Sequence, residues 1–103
     1  MKLLNAFSLN MVPVFPTDIH IEEIPLTQAQ ELATDLESAV GHADTAAVFS
    51  SVLGTSVATN RANVSLSQGE TVLVGQYRGP RLPEGCKTLP EGATIQWLLV
   101  TVK

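Results

Sequence analysis

A chain of 103 residues, 45% of them hydrophobic, has the length of a single domain spanning residues 1–103 and enough apolar material to build a core. Its formal net charge of −4 argues against a general nucleic-acid coat and a membrane-surface binder, since both want a basic face. No apolar run reaches the ~18–20 residues of a membrane span, Asn5, Ser8 and Asn10 interrupt the opening segment where a signal peptide would be apolar, and Cys86 is the only cysteine; a reducing, cytoplasmic setting fits.

In chain order, Lys2–Phe7 reads as a short buried strand, and Pro13 and Pro16 mark a loop. Asp18–Ile24 alternates, with Ile19 and Ile21 apolar and His20, Glu22 and Glu23 polar, which predicts a half-exposed strand. Thr27 followed by Gln30 is a capping-box pattern. Ala29, Leu32, Ala33, Leu36, Ala39 and Val40 then recur at helical spacing up to Gly41, the expected stop. His42 and Ala43 make a very short connection to a second helix capped by Asp44 or Thr45. Phe49, Val52 and Leu53 are its core face, and Gly54 ends it. Ala62–Leu66 reads as a strand, Ser67–Glu70 as a hairpin turn and Thr71–Gln76 as a central strand. Prolines and glycines make 78–92 a long ordered loop, and Ile95–Val102 closes the chain as a last strand. The predicted fold is α+β, a mixed sheet of about five strands with flanking helices.

Charge is unevenly spread. Residues 1–60 carry Lys2 against seven acids, whereas residues 61–103 carry Arg61, Arg78, Arg81, Lys87 and Lys103 against three. A basic late segment could hold a small anion, or it could be ordinary surface charge. His42 is the first candidate for chemistry, because it precedes a helix whose free N–H groups and positive dipole end attract phosphate. Histidine changes charge near neutrality, so it could protonate a leaving alkoxide; it could equally cap a carbonyl in the turn. Arg81-Leu82-Pro83-Glu84-Gly85 is the second candidate, a stiffened loop whose guanidinium fork suits phosphate. Glu84 could orient that arginine or a water, or tune the histidine; the two could equally be a surface ion pair on a loop. Asn5, Ser8 and Gln76 could read a base or ribose, or could be turn formers. Arg61 could meet a second phosphate or a partner subunit.

No paired carboxylates or Cys/His cluster have a metal-ligand spacing, so neither metal nor cofactor is expected. The phosphate-binding glycine signatures and the Gly-x-Ser-x-Gly elbow are absent too. An enzyme built from these parts would act without a protein nucleophile. RNA cleavage by its own 2′-hydroxyl meets that condition, needing in-line positioning, charge stabilisation at phosphorus and an acid for the 5′ oxygen.

Several segments together carry a resemblance: Leu4-Asn5-Ala6-Phe7-Ser8-Leu9-Asn10-Met11, Val40-Gly41-His42-Ala43-Asp44-Thr45, Asn60-Arg61, Gly75-Gln76, Arg81-Leu82-Pro83-Glu84-Gly85 and Ile95-Gln96-Trp97-Leu98-Leu99-Val100. In this order they resemble the viral ring nucleases, the type III anti-CRISPR family of small viral proteins and their cellular copies. The resemblance implies a homodimer that holds cyclic tetra-adenylate across its interface. It implies His42 as general acid, Arg81 stabilising the phosphorane and Glu84 in support. Asn5, Ser8, Arg61 and Gln76 would contact the ligand. The product would be linear di-adenylate with a 2′,3′-cyclic phosphate, and type III CRISPR signalling would be switched off. The stretch from Gln76 to Arg81 is one residue longer than the family pattern, so Arg78 could take the role of Arg81. The helix expected after Gly85 is reduced to Leu89-Pro90-Glu91-Gly92. Two other readings stay open: a sponge that binds the cyclic nucleotide without cutting it, and a nucleic-acid-binding regulator. The net charge and the lack of a basic recognition helix count against the regulator.

Overall fold

The computed structural model describes residues 1–103. Strands β1 (Lys2–Leu4), β2 (Ile19–Ile24), β3 (Glu37–Ser38), β4 (Thr71–Arg78) and β5 (Thr94–Val102) form one mixed sheet in the order β2-β5-β4-β1-β3. β1 runs parallel to both β3 and β4, while β5 is antiparallel to β4 and β2. Helices α1 (Leu26–Leu32) and α2 (Ala43–Leu53) pack on one face.

Alternation along β4 divides the molecule into two cores. Leu3, Leu73 and Trp97 meet Ala29 and Ala33 from the α1 side and Ala46, Phe49 and Leu53 of α2. On the opposite face, Leu4, Val72, Val74 and Val100 meet Val12 and Leu66, which come from loops rather than helices. Ala46, Phe49 and Leu53 lie three and four residues apart, so one stripe of α2 is buried. The helix ends at Gly54, whose φ of 73° is the left-handed conformation of a C-terminal cap and whose N–H donates to the Ser50 carbonyl at 2.9 Å.

Gly75 on β4 makes room for the centre of the helix-side core. Phe49 and Trp97 pack edge to face over it, with ring centroids 5.1 Å apart. A Cβ at residue 75 would lie 2.6 Å from Phe49 Cζ and 2.7 Å from Trp97 Cζ3. Both rings are buried and have nowhere to retreat. Gly75→Ala is therefore expected to destabilise the domain by about 2 kcal/mol, lowering Tm by roughly 10 °C for a chain of this size. An unchanged melting curve would show that the ring pair yields.

Three expectations from sequence are corrected. The first helix does not run to Gly41. It begins at Leu26 after Pro25, so the Thr27–Gln30 box does not form, and the Gln30 side chain donates instead to the Val52 carbonyl at 3.1 Å. After a 3-10 turn at Ala33–Asp35 the chain extends into β3, where Glu37 N–H donates to Met1 O at 3.0 Å and Ala39 N–H to Leu3 O at 2.8 Å. Pairing with β1 outweighs the helical periodicity of Leu36, Ala39 and Val40. Second, Ala62–Leu66 is not a strand. It is an extended loop that buries Leu66, whose N–H donates to Met11 O at 2.7 Å, so Ser67–Glu70 closes no hairpin. Third, α2 begins at Ala43, which puts His42 rather than Asp44 or Thr45 at its N-cap.

Candidate functional site

β1, β3 and β4 are parallel, so their carboxyl ends emerge along one edge of the sheet. Ligands of open sheets bind in the crevice outside such ends. Each strand delivers something there. β3 leads through Val40 and Gly41 into His42 and the start of α2, β4 leads through Tyr77 into the proline-rich loop, and Asn5 follows Leu4 out of β1.

An open cleft of about 830 Å³ lies at this edge. His42, Asp44 and Thr45 line one side, from the N-terminal turn of α2; Tyr77, Gly79, Arg81 and Glu84 line the other. His42 is exposed, has extended backbone angles (φ −124°, ψ 131°) and makes no side-chain capping bond. Its carbonyl accepts the first helical bond, from Ala46 N–H at 2.9 Å. The imidazole is thus free for a ligand beside unpaired helix N–H groups. The chain's ion pairs, Lys2–Glu70 at 3.7 Å and His20–Glu22 at 3.9 Å, lie elsewhere, so Arg81 and Glu84 do not neutralise each other.

The loop is shaped by a few specific contacts. Tyr77 Oη donates to the Pro80 carbonyl at 2.5 Å. Gly79, at φ 155°, presses against Ala93 where a Cβ would come within 2.7 Å of the Ala93 Cβ. Pro83–Cys86 closes a turn with Cys86 N–H donating to Pro83 O at 3.0 Å, and Gly85 takes φ 80°, the value a type II turn requires at its third position.

Arg78 does not belong to the cleft. It is the last residue of β4, on the face away from the helices, where its Nε donates to Gln96 Oε1 at 3.0 Å. Gln76 shares that face, and turning its amide lets the oxygen accept from Arg78 Nη2 at 2.8 Å. Gln96 in turn donates to Glu23 Oε1 at 3.4 Å. Gln76 and Arg78 are therefore held in a strand-surface network, and Arg81 is the arginine that faces His42 across the cleft.

Arg61 lies next to the cleft. A Cβ on Gly41 would stand 3.7 Å from its Cα, Cβ and Cγ. Asn60 holds it there, its N–H donating to Val40 O at 2.7 Å and its Nδ2 to Ser38 O at 2.8 Å. Ser8 is not among the cleft residues; it caps the short 3-10 turn Leu9–Met11 by accepting from Asn10 N–H at 3.3 Å. Of the sequence-derived candidates, the fold brings His42, Arg81 and Glu84 into one cleft, sets Arg61 beside it and Asn5 at the same edge, and leaves Ser8 and Gln76 outside its lining.

A family model described as STIV B116-like matches residues 1–95. The chain belongs to the STIV B116-like family. Among solved structures, it is similar to B116 of Sulfolobus turreted icosahedral virus, at 29% identity and a TM-score of 0.77 over 97% of each chain. No curated protein matches it. The B116-like domain described here has no helix long and apolar enough to cross a membrane. Its cleft also holds residues that motif reading passed over. Tyr77 follows Gln76 but points to the opposite face, and Asp44 by its position in the sequence suggests only a helix cap. Strand alternation was the available signal for Tyr77, since Gly75 and Tyr77 share parity with the core residue Leu73.

Proposed function

We propose that the protein is a metal-independent ring nuclease that cleaves cyclic tetra-adenylate to linear di-adenylate with a 2′,3′-cyclic phosphate, and so switches off type III CRISPR signalling. The observation that carries this reading is the meeting of an unbonded His42 at the start of α2 with Arg81 and Glu84 across one open cleft. The resemblance of those segments to viral ring nucleases supplies the substrate class.

In this reading a phosphodiester sits against the N–H groups that begin α2. The ribose 2′-hydroxyl attacks phosphorus, giving its proton to solvent water, and the bond from phosphorus to the 5′ oxygen breaks. Protonated His42 donates its proton to that departing oxygen. Arg81 offers its donors to the equatorial oxygens as charge accumulates on phosphorus, and Glu84, on the same cleft wall, supports the site. Two such cuts divide the ring into two dinucleotides. A homodimer accounts for the symmetry of the ring. Arg61, beside Gly41, would reach a neighbouring phosphate, and Asn5 would reach a ribose or base.

Labelled cyclic tetra-adenylate incubated with the protein in excess EDTA tests the proposal. Linear di-adenylate should accumulate over many turnovers at the same rate with and without chelator. A ring bound but left intact would identify a sponge; salt-sensitive binding to duplex DNA without cleavage would favour a nucleic-acid-binding regulator.

A further inference from the structure

The loop carrying Arg81 and Glu84 is long, lies at the surface and belongs to neither core. Its base is fixed by the Tyr77 hydroxyl on Pro80 and by Gly79 against Ala93. Its tip is fixed by one contact from across the cleft: Gly85 N–H donates to Asp44 Oδ1 at 3.2 Å. Asp44 stands in the first turn of α2, two residues after His42, and is partly buried. The bond joins residues 41 apart in sequence and links the helix start directly to the turn that displays Glu84.

A carboxylate in a cleft that receives phosphate opposes its ligand. An acid in the first helical turn is also favourable by itself, through the helix dipole. Neither effect requires a partner, yet Asp44 has one, on the loop whose placement matters. We propose, building on the ring-nuclease reading, that Asp44 is a positioning residue: by latching Gly85 it holds Arg81 and Glu84 opposite His42.

Two variants separate the latch from the charge. Asp44→Asn removes the charge and keeps an Oδ1 acceptor; Asp44→Ala removes both. Amide hydrogen exchange on the ligand-free protein reads the latch without reference to any reaction. In Asp44→Ala the Gly85 amide should exchange at least about tenfold faster than in wild type while the α2 amides stay protected, and in Asp44→Asn it should stay within about threefold of wild type. Cleavage reads the consequence. In Asp44→Ala kcat should fall about tenfold, with a smaller rise in KM because Arg81 also contacts the ligand in this reading, and Asp44→Asn should restore most of both. Gly85 exchange unchanged in Asp44→Ala would overturn the latch, and wild-type kcat in that variant would overturn its role in positioning. A wild-type protein that cuts no ring would sink the nuclease reading alone, since the exchange comparison still decides whether Asp44 holds the loop.

Discussion

His42→Ala is expected to slow cleavage of cyclic tetra-adenylate by about 10²–10⁴-fold, the range a positioned general acid supplies, while binding of the ring changes little. The imidazole bonds to nothing in the chain and is exposed. Its loss should therefore leave the fold and the melting temperature intact. The backbone N–H groups of α2 persist in the variant, so phosphate is still attracted to the helix start. What disappears is the proton delivered to the 5′ oxygen. Single-turnover cleavage beside equilibrium binding separates the two quantities. A variant that cuts at the wild-type rate removes His42 from the chemistry, and one that loses binding and cleavage in equal proportion makes it a ligand contact.

Arg81→Ala is expected to lower kcat by about 10²–10³-fold, the cost of removing one donor to a developing oxyanion, and to weaken binding as well. The paired measurement is Arg78→Ala. Both arginines lie near the start of the long loop, and their order along the chain cannot tell which one would meet a phosphate. The fold distinguishes them by strand parity. Arg78 shares its face with Gln76 and donates to Gln96, on the far side of β4 from α2, whereas Arg81 lies beyond Gly79 and lines the cleft with His42. Arg78→Ala should therefore cleave close to the wild-type rate and cost at most about 1 kcal/mol of stability, as an exposed polar network does. Equal damage from the two substitutions would mean that the loop rearranges when the ring binds.

Elements whose local pattern and tertiary surroundings agree were legible in the sequence. α2, β4 and β5 fall close to where periodicity puts them, because a buried stripe on α2 and two-sided burial of the central strands leave direct hydrophobic signals. The long loop announced itself through its prolines and glycines. His42, Arg81 and Glu84 could be singled out by residue type and by the helix start or stiff loop carrying them. The end of the first helix could not be read. Leu36, Ala39 and Val40 suit a helix or a strand, and the open edge of β1, which takes β3 in parallel, decided for the strand. Nor could Ala62–Leu66, whose alternation reflects burial of Leu66 under a loop rather than strand pairing.

By itself the sequence determined an α+β domain, its acidic balance and the residues with useful chemistry, since composition and spacing are local properties of the chain. The tertiary structure decided which of those residues meet. Parallel pairing of β1 with β3 and β4 gathers three carboxyl ends at one edge, and the side on which each side chain falls follows from the two-residue repeat of β4. Contacts such as Asp44 with Gly85 and Gly41 with Arg61 join positions far apart in the chain, so no window of sequence contains both partners.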